Sequence, residues 1–396
     1  MNKHSFSPFA VERLLILLAT LVALAACTGD KVVAPTYHDD LDGAIAALAG
    51  RIAEQLPGGL LSVGQGGKIV VVDAFFNEQS AEVTNSGVHV QKGLVERLAK
   101  ANDKYEFAAL STRNLSKSSL AILGSVRLAG KAANNEKSYA RIEAVVREVE
   151  SGKVVANAVA FVASQQFDAT PTRLYMDMPM FLAGDEHQQR LQVVAGNAAP
   201  VKDVVGVSAR IAEATEQYNA GNFSESGRLF KEALDASGGK SLLALSGLYQ
   251  SEFRGGDFLA AERTFGELVA AAIGSGKLSI KFLFEVNGTA FAATGDLTRQ
   301  YPMWQRQIAK QIAEGSACLE VQGHASRSGT EAYNDKLSAR RAEYVANSLR
   351  SIRPDLKGRL SSSGKGFSEN IVGSGTDDAQ DAIDRRVEFK ILPCAQ

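Results

Sequence analysis

The sequence predicts an α+β chain of several domains. An N-terminal α/β domain is followed by a pair of helical repeats and a C-terminal domain in the order β-α-β-α-β-β, with one layer of helices on one sheet. Three observations lead there. Dense β-branched runs alternate with helix-period stretches over 38–165. Two segments near the middle repeat one another. From about 277, strand-like and helix-like stretches alternate again in an order that places helices on one face of a sheet. The 396 residues, 45% apolar and 22% charged, are ample for several cores. A formal net charge of −1 gives no basic field of the kind that draws nucleic acid, and none is expected as a partner.

Lys3 and Arg13 precede an unbroken apolar run, Leu14–Ala26, that stops at Cys27. The run is shorter than the roughly 20 residues a membrane span needs and has the length of a signal-peptide core. Leu24-Ala25-Ala26-Cys27 resembles the bacterial lipobox, which is cut before its cysteine. The resemblance implies that 1–26 is a lipoprotein signal peptide, that Cys27 carries lipid, and that 27–37 is a tether. Several acyl chains anchor a protein stably where one alone is marginal. Thr28, in place of an aspartate, implies sorting to the outer membrane with the chain facing the periplasm.

The segment 39–56 has apolar residues at helical spacing with Asp in its first turn. KIVVVDAFF (68–76) predicts a buried strand, 93–101 a helix, and 120–130 a strand. Two β-rich arms around Ser151-Gly152 predict a hairpin over 140–163. VGQGGKIV is not a phosphate loop: Ser62 stands where the first Gly should be, and Ile69 replaces the magnesium-binding hydroxyl. In pattern, 38–165 resembles the periplasmic α/β domains of lipoproteins in flagellar assembly, curli export and penicillin-binding-protein activation. Pro171 and Pro179 predict an extended connector over 166–202, draped on the first domain.

In 203–276, Gly221 pairs with Gly256, Phe223 with Phe258 and Phe230 with Phe265, each pair 35 residues apart. The pattern resembles tetratricopeptide repeats. Two such repeats rarely stand alone, so they should lean on a neighbouring domain or a partner protein of the periplasm.

In the C-terminal part, 278–293 predicts a strand, 297–315 a helix, and CLEVQG a strand entering a loop. The stretch 333–352 predicts a strong amphipathic helix through Leu337, Ala342, Val345, Leu349 and Ile352. RLSSSGKGF predicts a short strand and turn, and 385–392 a final strand. Cys318 and Cys394 flank strand-like runs; if those strands are antiparallel neighbours, the two can pair in the oxidising periplasm. A bridge over so long a loop would be worth about 4 kcal/mol; the alternative is two free buried thiols. The cysteines and the five scattered histidines form no metal-ligand spacing, and no cofactor is expected.

Residues 278–393 resemble the OmpA-like peptidoglycan-binding domain. The matching features are Lys281-Phe-Leu-Phe, Gly288-Thr-Ala-Phe, Val321-Gln-Gly-His324, Tyr333-Asn334, Leu337-Ser-Ala-Arg-Arg341-Ala, Ser363-Gly-x-Gly366 and Arg385-Arg386-Val-Glu. The resemblance implies binding of the peptidoglycan stem peptide through the free carboxylate and ammonium of diaminopimelate. Arg341 would clamp the carboxylate with two parallel bonds that a lysine cannot reproduce. Asn334 and Ser338 fall on the same helical face, and Arg386 matches the second family arginine. The family's Gly-His-Thr-Asp reads Gly-His-Ala-Ser here, so Ser326 stands where Asp meets the ammonium. A neutral hydroxyl there implies about 5- to 30-fold weaker binding unless Asp335, Asp384 or Glu331 compensates. Read as chemistry, His324 and Ser326 lack an acidic third partner and a nucleophile elbow, so no hydrolase is expected.

Overall fold

The structure is a computed structural model that describes residues 36–57, 69–129, 138–182, 184–197, 201–285, 287–292, 295–371 and 384–394. The expected signal peptide, Cys27, the expected tether as far as residue 35 and most of the glycine-rich stretch before Ile69 lie outside those residues. Residues Tyr37–Gln396 form one compact unit.

Its first part is a seven-stranded sheet with helices against both faces. The elements are β1 (Tyr37–His38), α1 (Leu41–Gln55), β2 (Ile69–Val72), β3 (Phe76–Asn77), α2 (Asn85–Ala101), β4 (Glu106–Ala109), α3 (Thr112–Leu115), β5 (Ser118–Ala129), β6 (Tyr139–Glu148) and β7 (Val154–Ala163). The strands run in the order β1-β7-β6-β5-β2-β4, with β3 pairing β5 off this path. Asp40 starts α1 by accepting from the Gly43 amide at 2.6 Å, and Thr84 starts α2 by accepting from the Gly87 amide at 3.1 Å. That cap begins α2 well before the expected residue 93. The strand expected over 68–76 is broken at Asp73 into β2 and β3. The hairpin β6–β7 forms as expected, with Gly152 at φ 68° in its turn.

The connector is not extended. After a short 3-10 turn it folds into α4 (Arg173–Asp177) and α5 (Asp185–Val194). Tertiary bonds hold α5 where the two prolines suggested open chain. The His187 ring meets the Glu78 carbonyl at 2.7 Å, and buried Arg147 donates to the Val193 carbonyl at 2.7 Å.

Four helices follow: α6 (Val201–Asn219), α7 (Phe223–Ala236), α8 (Leu242–Arg254) and α9 (Phe258–Gly274). They form two antiparallel pairs with the same 35-residue offset. Gly221 and Gly256 take left-handed φ values of 82° and 86° at the two turns. Tyr218 meets Phe223 edge-on at 5.3 Å across the first turn, and Phe253 meets Phe258 at 5.2 Å across the second. Phe230 and Phe265 are fully buried between the helices.

The last part is β8 (Leu278–Ile280), α10 (Leu297–Glu314), β9 (Cys318–Gly323), α11 (Glu331–Ile352), β10 (Leu360–Gly364) and β11 (Val387–Leu392), with sheet order β10-β9-β11-β8. The expected strand 278–293 shrinks to three residues. The chain is pulled aside at Lys281, whose amide bonds to the Pro179 carbonyl and whose ammonium reaches Glu82 and the Tyr175 carbonyl, each at 2.7 Å. Cys318 and Cys394 are joined as a disulfide, with Cα atoms 5.0 Å apart, at the end of the β9–β11 pair.

The three parts share a core. One apolar cluster runs from Val71 and Phe76 of the first sheet through the helical pairs to Val387 and Phe389. A second fills the other face of the first sheet beneath α1 and α2. Helix α10 lies on α9 where a further repeat would stack. Trp304 is buried, its ring stacks on Phe265 at 5.7 Å, and its indole N–H donates to the Tyr249 hydroxyl at 2.7 Å. Arg306 adds a two-pronged pair with Glu262 at 3.1 and 2.9 Å. No helix among the described residues is long and apolar enough to cross a membrane. Trp304→Ala should cost about 3–5 kcal/mol in urea unfolding, and Trp304→Phe, which keeps the ring contact, should cost much less. A loss below about 1 kcal/mol for the alanine variant would contradict this role.

Candidate functional site

The register of the last sheet assembles the site. Val387 stands beside both Ile280 and Gly323, and Gly323 beside Gly364. These four positions mark one end of the sheet, so the segments that leave it (from Lys281, His324 and Lys365) or enter it (at Arg386) meet there. Helix α11 begins over the same end, capped by the Thr330 side chain at the Tyr333 amide.

Two glycines let α11 come close. A Cβ on Gly323 would lie 2.2 Å from the Ser338 carbonyl oxygen, and one on Gly364 would lie 2.5 Å from the Ala339 nitrogen. Backbone atoms cannot yield as a flexible side chain can, so only glycine fits. The loops are stitched together by main-chain bonds: His324 N–H to Arg386 C=O at 3.0 Å, Ala325 N–H to Gly366 C=O at 2.8 Å, and Lys365 N–H to Gly323 C=O at 2.9 Å.

All five expected ligand residues are buried at this end: Ser326, Asn334, Ser338, Arg341 and Arg386 are at most 6% exposed. Arg341 donates from Nε to the Gly288 carbonyl at 3.1 Å and from Nη2 to the Glu285 carbonyl at 3.3 Å, with its guanidinium carbon 4.9 Å from the Phe284 ring centroid. Asn334 donates to the Ser328 carbonyl at 2.7 Å and fixes the loop that carries Ser326. Ser326 meets the Ser328 hydroxyl at 3.3 Å. The Ser338 hydroxyl donates to the Asp335 carbonyl at 3.0 Å and accepts from the Gly366 amide at 2.9 Å, so it braces the loop from beneath. Arg386 donates from Nε to Glu388 at 2.6 Å and from Nη2 to the Glu369 carbonyl at 3.1 Å. Of the acidic residues that could offset Ser326, Asp384 is buried and accepts from the Ile371 amide at 2.6 Å, whereas Asp335 and Glu331 are exposed.

Sequence reasoning missed the surroundings of His324. The ring is buried, and neither nitrogen has a hydrogen-bond partner. Ser326 is therefore not bonded to it, and the pair is not arranged as nucleophile and base. Glu369 lies 4.0 Å from Nδ1 and Glu388 3.8 Å from Nε2. Burial, reinforced by Arg386, pushes the ring down to about 4, against the pull of Glu388. The alternation Arg386-x-Glu388 on a strand, which puts both on one face, was the available signal. The carbonyls of Glu285 and Gly288 had none. Among the described residues, no group of three or more His, Cys, Asp or Glu could hold a metal.

Residues 293–384 match the OmpA family. The chain carries an OmpA-family domain at its C-terminal end. Outer membrane porin F of Pseudomonas aeruginosa is 32% identical over 121 residues, covering 29% of this chain and 31% of that protein. The chain thus spans about a third of the length of this curated relative. Among solved structures, the peptidoglycan-associated lipoprotein of Burkholderia pseudomallei is 22% identical, with a TM-score of 0.25, over 29% of this chain and 91% of that one. The cell wall anchor of the T6SS from Pseudomonas aeruginosa is 24% identical, with a TM-score of 0.24, over 29% and 78%.

The low pKa of buried His324 predicts that the OmpA-family domain loses stability in acid. Below pH 6.5 the unfolded chain takes up a proton that the folded chain accepts only near pH 4. Stability contributed by the neutral ring is therefore complete above 6.5 and is lost as pH falls toward 4. Between pH 7 and 4.5, urea unfolding should show wild type losing on the order of 2 kcal/mol more than His324→Gln. Parallel losses in the two proteins would contradict the assignment.

Proposed function

We propose that the chain is a lipid-anchored protein of the outer membrane, facing the periplasm, that binds peptidoglycan non-covalently through its OmpA-family domain and so tethers membrane to wall. The observation that carries this reading is the convergence of Arg341, Arg386, Asn334 and Ser326 at one end of the C-terminal sheet. The family match, and the resemblance in the residues around Gly323 and Arg341, support it. The ligand is the diaminopimelate of the stem peptide, with Arg341 at its carboxylate and Ser326, Asn334 and the buried carboxylate of Asp384 toward its ammonium. Lipid on Cys27 is the second attachment. Two modest affinities on one chain become strong retention, because the second binding event is intramolecular. The helical pairs and the first sheet would position a periplasmic protein partner, and the chain works by binding, without catalysis.

A second reading has one observation in its favour. Ser326 is engaged with Ser328 and brings no charge, which fits a scaffold whose OmpA-family domain no longer holds diaminopimelate. Co-sedimentation with purified sacculi separates the two. The chain from residue 28 onward should pellet with sacculi, whereas in cells Cys27→Ser should free the protein from the membrane fraction. Failure to pellet points to the scaffold; membrane retention of Cys27→Ser removes the lipid anchor.

A further inference from the structure

A cleft of about 830 Å³ lies where the connector meets the helical pairs, far in sequence from the OmpA-family domain. It is bounded by α5, the first turns of α6, and the C-terminal ends of α7 and α9. Its volume is in the range of sites that enclose small organic ligands. Leu182, Val204, Val207, Leu242 and Ala271 give it apolar walls. Arg190 is the charged group set deep in it, with its side chain only 11% exposed.

The state of that guanidinium is the informative feature. One face lies over the Phe76 ring, 4.1 Å from the centroid, and Asp73 sits 3.6 Å away. Beyond that ion pair, its N–H groups have no hydrogen-bond acceptor among the described residues. None of its nitrogens is cut off from solvent, so these N–H groups open into the cleft, where an acceptor on a ligand can reach them. The other interior carboxylate, Glu186, accepts from the Ser241 hydroxyl at 2.8 Å and is thereby turned toward α8. Asp185, Asp203 and Lys240 stand exposed at the rim, where water and salt screen them. Burial raises both Asp73 and Glu186 above the usual carboxylate range, against the pull of Arg190.

We propose that this cleft is a binding site for a small amphiphilic carboxylate, an apolar chain whose terminal carboxylate is held by Arg190. A fatty acid and the free C-terminus of an apolar peptide share that chemistry. A ligand here would touch the connector and the repeats together, and through Arg190 the first sheet.

Calorimetry on the chain from residue 28, which keeps the whole compact unit, tests this with dodecanoate and N-acetyl-Val-Leu-Leu as probes, each against its amide. At least one acid should bind about tenfold or more tightly than its amide, the worth of charge-assisted bonds. Arg190→Gln should remove that preference. Val207→Trp, which fills the cleft and leaves the Arg190–Asp73 pair intact, should abolish binding while circular dichroism stays unchanged. The acid that binds identifies the source. The proposal is overturned if neither acid binds at 1 mM, if acid and amide bind alike, or if Val207→Trp binds as wild type does.

Discussion

The site rests on the near-contact of α11 with two strand ends. Gly323 and Gly364 allow the helix backbone to lie against the sheet where any side chain would strike main-chain atoms. That approach brings Ser338 over the Gly366 amide, and it places Asn334 and Arg341 above the loops that follow β8 and β9. Move the helix outward by one methyl group and the hydroxyl, the amide and the guanidinium lose their partners together. Arg341 is oriented by two carbonyls and an aromatic face.

The same domain is also a structural member of the whole chain. Trp304 of α10 occupies the place of a next repeat, and Lys281 leaves its own sheet to pair with Glu82 of the first one. A repeat pair cannot cover its own end faces. Here α10 covers one of them, and the shared core follows from that. Helix α9 ends at Gly274 and β8 starts at Leu278, so packed side chains join the domain to the rest of the chain.

Much of this was legible in the sequence because it is local. The 35-residue offset, the apolar stripe of α11, and the order β-α-β-α-β-β all come from periodicity, and the helical spacing of Asn334, Ser338 and Arg341 put them on one face. What escaped depends on distant partners. Pro171 and Pro179 argued for open chain, yet α5 forms because Arg147 and the Glu78 carbonyl hold it. Residues 281–293 read as strand, but Lys281 is claimed by Glu82, and the run ends at Ile280. Spacing placed Ser338 on the face of Arg341 and could not show that its hydroxyl accepts from the Gly366 amide. Of the carboxylates around His324, Glu388 had only its alternation with Arg386 to signal it, and Glu369 had no local pattern at all.

The central claim is that the buried end of the sheet recognises a carboxylate and an ammonium on one side chain. Titrating a stem peptide that contains diaminopimelate, beside one with lysine in its place, tests this directly, because lysine keeps the ammonium and lacks the second carboxylate. The account predicts saturable binding of the diaminopimelate peptide, a loss of about tenfold or more with lysine, and a similar loss for Arg341→Ala. Equal binding of the two peptides, or binding unchanged by Arg341→Ala, would contradict it.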